Sequence, residues 1–224
     1  MKKFYFLLFL LFCFLTNYAQ KDSLQIGDKY AEDQIYLSVS YAQFFNQPQQ
    51  ITKSGFSYGL SIGFLKDITL NKQGNFSFAV GVGYGFDSFS HELKVEEING
   101  NTVFSNGSNL TSNNYTASNL EFPLEIRWRT SNAKRYDFWR IYGGIKFLYN
   151  LSNKFDFTEN SSSFQYKNVN AYRKFQYGLT LSAGYDEFNF NVFYSLTPIF
   201  ENASFNGASI DTSVLKFGLI FYIL

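Results

Sequence analysis

The single histidine, His91, stands beside Ser88, Ser90 and Glu92. A hydroxyl, an imidazole and a carboxylate are the parts of an acyl-transfer site, and at the rim of a membrane barrel they would make a hydrolase of lipid or lipopolysaccharide. Neighbours along an extended chain point to opposite sides, however, the surrounding segment is full of serine, and nothing marks an oxyanion site. The only cysteine, Cys13, follows Leu10, Leu11 and Phe12. Lipidation of that thiol would want a small residue directly before it, and beyond it the chain has no thiol for a disulfide or a metal. The glycines of GVGYG (residues 81–85) recur every second residue, which is a packing pattern and not a phosphate loop. The expected catalytic, cofactor and metal residues are therefore none.

A second set of residues carries charge. Asp87, Glu121, Glu125, Arg127, Arg129, Arg140, Lys146, Lys174 and Lys216 all fall on the less bulky parity of alternating segments. Charges confined to a narrow interior must pair or stay hydrated, because an isolated one costs several kcal/mol. They can form an ion-paired plug that fixes register and closes a pore, or they can line a proton or ion path. With a turn centred near residues 134–135, Glu125 comes within one or two residues of Gly144 and Lys146, and Arg127 comes near Tyr142. Pairing of Glu125 with Lys146 or with a neighbouring arginine follows as an expectation.

The elements that must hold these charges are strands. DQIYLSVSYAQF sets Ile35, Leu37, Val39 and Tyr41 against Tyr36, Ser38, Ser40 and Ala42, the period of two that a strand imposes. Seven more segments repeat it, at residues 56–64, 76–87, 120–129, 139–149, 174–185, 188–196 and 215–223. Eight strands of about ten residues suit tilted membrane-crossing strands. Connections 88–118, 152–172 and 200–211 are long, 131–138 and 186–187 are short, and 46–55 and 66–75 are equal; taking 46–55 with the longer, Asn-, Ser- and Gly-rich set and 66–75 with the shorter one, the two kinds alternate. About five bulky residues per strand make roughly 40 large side chains, more than an eight-stranded interior holds, so the bulky face must point outward. Small residues and charges then fill the lumen, where glycines such as Gly83 and Gly144 leave room for side chains of opposing strands. Trp128 and Trp139 flank a short turn, where an interfacial aromatic belt would lie.

Composition sets the outer limits. The chain has 224 residues with 28 Phe and 17 Tyr, and 19 Lys plus Arg balance 18 Asp plus Glu, so no basic footprint for nucleic acid exists. Lys2 and Lys3 precede a short apolar run, Phe4 to Leu15, with a cleavage site after Ala19. The expected organisation is a signal peptide over 1–19, a periplasmic lead-in over 20–32 and a single barrel over 33–224.

The stretches LEFPLEIRWRTS (Leu120 to Ser131), DFWRIYGGIKFLY (Asp137 to Tyr149), FQYGLTLSAGY (Phe175 to Tyr185) and the ending LKFGLIFYIL resemble the small outer-membrane β-barrel family of Bacteroidetes, the PorT-like or porin family proteins. The resemblance implies an all-β fold, an eight-stranded antiparallel up-and-down barrel in the outer membrane with both chain ends periplasmic. The last strand, with Gly218, Phe221 and Ile223, looks like a signal for the barrel-assembly machinery. Outer-membrane lipid and that machinery are the implied partners, together with envelope or secretion proteins, since some members serve type IX secretion and gliding. The leading expectation is a non-enzymatic anchor or interaction module. A narrow pore is the alternative and a rim hydrolase the third.

Overall fold

The computed structural model describes residues 33–48, 51, 55–107, 109–130 and 139–223. The expected signal peptide, Cys13 and the lead-in lie outside these residues. Thirteen strands occur among them: β1 (Gln34–Phe45), β2 (Tyr58–Thr69), β3 (Phe76–Ser90), β4 (Leu93–Ile98), β5 (Asn101–Asn106), β6 (Leu110–Arg129), β7 (Trp139–Glu159), β8 (Ser162–Lys167), β9 (Phe175–Tyr185), β10 (Phe188–Ser195), β11 (Ser204–Phe205), β12 (Ala208–Ser209) and β13 (Ser213–Ile223). Eight of them form the wall in the order β6-β3-β2-β1-β13-β10-β9-β7, and the pairing of β6 with β7 closes it. All wall pairings are antiparallel, and the first and last strands meet from Ile35↔Ile223 to Phe45↔Ser213. Closure leaves no wall strand with an unpaired edge, which is what makes a strand-built membrane span possible.

The faces divide as the alternation requires. Leu37, Val39, Ile62, Leu124, Ile126, Ile145 and Leu181 lie exposed on the outside, while Tyr36, Ala79, Glu121, Arg127 and Tyr222 are buried inside. Aromatic residues gather at both margins of the outer apolar band. At the short-turn end Trp128 and Trp139 join Tyr185 and Phe188. Towards the long connections lie Tyr84, Tyr149, Phe175 and Tyr194. One irregularity has a clear cause: β3 and β6 pair at Val80↔Leu124 and again at Gly83↔Glu121, but not between, where Pro123 has no amide hydrogen to give.

The long connections are more ordered than their Asn- and Ser-rich composition suggests. Within 88–118 and 152–172, read from sequence as connections, β6 starts at Leu110, β7 continues to Glu159, β4 and β5 form a hairpin, and β8 extends the sheet beside the top of β7. Asn99 and Gly100, at φ 52° and 79°, make the tight turn of the β4–β5 hairpin, a left-handed backbone that Asn-Gly adopts readily. A bulge in β7 divides membrane wall from projection. The partners step from Asn119↔Asn150 to Ser118↔Ser152, leaving Leu151 as an extra residue. The extra residue inverts the parity of β7. Below the bulge the even residues point inward, and above it Asn153, Phe155 and Phe157 do.

Candidate functional site

β6 supplies most of the interior chemistry, because its odd positions from Asn113 to Arg129 face inward without a break in parity. The buried groups fall into tiers along the barrel axis. Nearest the short turns, Asp67 on β2 receives Arg129 Nη1 at 3.0 Å and Arg127 Nη1 at 3.5 Å, and Ser77 Oγ donates to it at 2.6 Å. Arg127 Nε also meets Glu125 at 3.0 Å, and its guanidinium lies over the Tyr142 ring, 4.5 Å from the centroid. In the middle tier the Glu121 carboxylate accepts from Lys146 Nζ at 3.0 Å, Tyr36 Oη at 3.1 Å and Ser61 Oγ at 3.0 Å. Above it, Asp87 holds Lys216 at 2.5 Å and accepts from Asn119 Nδ2 at 3.3 Å. An asparagine relay continues upward through Asn150 and Asn153, whose Oδ1 accepts the Val169 amide at 2.9 Å. Asp67, Asp87, Glu121 and Glu125 thus face Arg127, Arg129, Lys146 and Lys216, pairing that low-dielectric surroundings demand.

An apolar cap closes the long-loop end. The rings of Phe44, Phe89, Tyr115 and Phe155 stack in series at 4.5, 4.9 and 4.7 Å between centroids, with interplanar angles of 18° or less. Loop residues Ile51, Ile199, Phe200 and Ile210 pack onto this stack. Tyr115 donates to Tyr172 at 2.7 Å, and burial pushes the Tyr172 hydroxyl up to about 12. The β4–β5 hairpin lies over the cap. Lys94 ties it to Glu159 at 2.9 Å, Asn170 Nδ2 donates to Glu97 at 2.7 Å, and Phe104 meets Phe200 edge-on at 4.9 Å. Two spaces in the lumen, one beside Glu121 and Lys216 and one beside Asp87 and Phe193, measure about 10 Å³ each. Neither holds more than a single water.

Asp87, Glu121, Glu125, Arg127, Arg129, Lys146 and Lys216 are all buried on the inner face. Arg140 is buried at the short-turn end, where Nη1 donates to the Asp186 carbonyl. Lys174 is placed elsewhere: β9 begins only at Phe175, and Lys174 sits exposed on the preceding bend, its carbonyl accepting the Asn150 amide at 2.8 Å. Of the two partners expected for Glu125, Lys146 or a neighbouring arginine, the structure shows the arginine. Glu125 does stand opposite Gly144, and Arg127 opposite Tyr142, but Lys146 stands opposite Pro123, midway between Glu121 and Glu125. Since Arg127 occupies Glu125, the ammonium reaches Glu121 instead. Glycines make room in two different ways. A Cβ at Gly83 would collide with the Tyr36 hydroxyl, whereas one at Gly144 would strike the Leu124 carbonyl, so that site has no room at all.

Asp67 is the functional-site residue the alternation misses. In FLKDIT the parity of bulk reverses, with Leu65 buried inside and Lys66 outside on Asp33 at 2.5 Å, so the pattern stops at Phe64 although the strand does not. A lone carboxylate keeping lumen parity beyond Phe64 was the available signal.

His91 belongs to the cap. Its Nδ1 accepts the Leu93 amide at 3.1 Å and its ring meets Phe44 edge-on at 5.5 Å. Burial pushes the imidazole down to about 4. Ser88 and Ser90 take the outward parity of β3 and His91 the inward one. Ser90, His91 and Glu92 all border a solvent-open, polar cleft of about 350 Å³, together with Gly55, Asn106 and Ser112. Among the described residues no group of three or more His, Cys, Asp or Glu could hold a metal ion.

No curated protein matches the chain. A family model described as "outer membrane protein beta-barrel domain" matches residues 18–201, a stretch that includes every wall strand except β13. An eight-stranded closed wall, an apolar outer face edged with aromatic residues and a charge-paired interior agree with that match, and the chain belongs to the outer membrane protein beta-barrel domain family.

Proposed function

We propose that this outer-membrane barrel is a closed, non-conducting and non-enzymatic anchor that presents its long-loop end outside the cell and keeps both chain ends on the periplasmic side. The observation that carries the reading is the filled lumen. Paired charges occupy the lower tiers, stacked rings and loop residues the upper one, and the gaps beside Glu121 and beside Asp87 are about 10 Å³ each. Short turns at one end and long connections at the other support the orientation. Trp128 and Trp139, on the outer face at the short-turn end, then sit at the periplasmic interface. The ordered hairpin and loops above the cap offer a surface for envelope proteins, and the resemblance to PorT-like barrels makes secretion and gliding components the first partners to seek.

The test is electrical. The purified protein inserted into a planar bilayer should give almost no steady conductance, because an eight-stranded interior is barely wide enough for its own side chains. Steady ion-selective current, abolished by Glu121→Ala, would replace the anchor with a pore. Co-purification of envelope proteins with the native barrel would identify the partner.

A further inference from the structure

The hairpin of β6 and β7 rises past the bulge, with β8 beside it, and the outward face of this projection changes character abruptly. Below it are Tyr149, Leu151 and Phe175, all large and exposed. Above it the outward positions of β7 and β8 are polar, and two are lysines placed directly opposite each other, Lys154↔Lys167. Asn168 donates its amide to the Asn153 carbonyl at 2.9 Å. Residues 153 and 168 are therefore a hydrogen-bonded pair, and 154 and 167 the next, non-bonded pair, in which side chains stand closest, with Cβ atoms about 5 Å apart. Like charges at that separation destabilise a sheet. Among the described residues one acid relieves them: Asp156 meets Lys154 at 2.6 Å and accepts Gln165 Nε2 at 2.7 Å. Among the described residues no carboxylate lies within ion-pair distance of Lys167 or Lys174, and Lys174 is exposed beside the same strand, next to Phe175.

The height of this pair identifies what it meets. Lys154 is three residues beyond the lipid-facing Leu151, about 10 Å along the strand. At a tilt of about 40° that is roughly 8 Å above the apolar band. The polar layer of a bilayer leaflet is about 5–8 Å deep. The ammonium groups thus reach the depth of lipid phosphates, and the Thr158 and Ser163 hydroxyls, 3.0 Å apart and four residues farther from the apolar band, are suited to headgroup sugars beyond the phosphate.

We infer that the outward face of β7 and β8 binds a phosphorylated lipid headgroup of the leaflet on the long-loop side, with Lys154 and Lys167 clamping the phosphate and Lys174 beside it. A loosely held free anion has no need of the apolar ledge formed by Tyr149, Leu151 and Phe175; an acyl chain lying against that ledge places its own headgroup phosphate at the lysines.

This inference rests on the orientation proposed above, and one experiment separates the two. The folded, detergent-solubilised protein is titrated with lipopolysaccharide bearing its phosphates and with the same material after dephosphorylation. The phosphorylated form should bind at least about tenfold more tightly, and Lys154→Ala combined with Lys167→Ala should cost about 30-fold, as expected for loss of two interfacial lysines. Lys66→Ala, at the opposite end, should change nothing, and excess inorganic phosphate should not displace the lipid. Equal binding of both forms, no effect of the double substitution, an equal loss with Lys66→Ala, or complete displacement by inorganic phosphate would each overturn the inference. Protease added to intact cells reads the orientation alone. Cleavage in the long connections together with unaltered lipid binding by the double variant would sink this inference and leave the orientation standing.

Discussion

Glu121 is sealed among Lys146, Tyr36 and Ser61, so either member of the ion pair becomes expensive once the other is gone. Glu121→Ala should destabilise the folded barrel by about 3–5 kcal/mol in urea unfolding, and adding Lys146→Met should recover part of the loss. The same double-substitution cycle on Glu125 and Lys146 should show little coupling, since Arg127 holds Glu125. His91 adds a pH dependence of a definite sign. Its folded value of about 4 lies below the ordinary value near 6.5, so the unfolded chain takes up the proton first. The stability associated with the neutral ring is complete above about pH 6.5 and is lost as pH falls towards 4. Wild-type protein should therefore lose more cap stability over that range than His91→Gln, by on the order of 3 kcal/mol, as read from hydrogen exchange at the loop end. Lys94 behaves differently: burial alone would lower it, but hydrogen bonds to Glu159 and Glu96 raise it, so it keeps its charge throughout.

Strands were legible wherever bulk alternated. Ile35 to Tyr41 or Phe188 to Tyr194 declare their faces because lipid accepts only large apolar groups on one side and the crowded lumen accepts small or paired ones on the other. The pattern fails where neither solvent is lipid. Above the bulge, polar surroundings replace acyl chains outside and an apolar cap replaces charges inside, so Tyr115, Phe155 and Phe157 point inward, reversing the rule that reads the wall. An Asn- and Ser-rich exterior then makes a strand look like a loop. The interior charges were legible except for Asp67, which was missed, and Lys174, which lies elsewhere; the choice of arginine over Lys146 for Glu125 was not legible, because Lys146 lies equally near two carboxylates in register and only the competing Arg127 decides between them. Close packing between strands leads to a further prediction. Gly143→Ser, on the open outer side, should fold nearly normally, whereas Gly144→Ser, which drives a Cβ into the Leu124 carbonyl, should prevent the β6–β7 pairing. Yields of folded, heat-shifted protein on gels distinguish the two.

At the scale of the whole molecule, the barrel is two interiors in one wall: an ionic floor among β2, β3, β6 and β7, and an aromatic ceiling roofed by loops. Among the described residues the spaces beside Glu121 and Asp87 are about 10 Å³ each, which is why the anchor reading precedes the pore. The wall itself also carries a built-in optical label. The only two tryptophans of the chain, Trp128 and Trp139, project from the same end of the outer surface, and the interior contains none. Intrinsic fluorescence of the reconstituted protein is therefore a gauge of depth at one membrane interface. Its emission should be quenched strongly by lipids brominated near the headgroup and weakly by lipids brominated at the chain terminus, and uniform quenching at both depths would show that the aromatic margin does not mark the edge of the bilayer. Because loop-end contacts lie a full membrane thickness away, partner binding there should leave this emission unchanged, so the same sample can report insertion with tryptophan light while a label at the loops reports recognition.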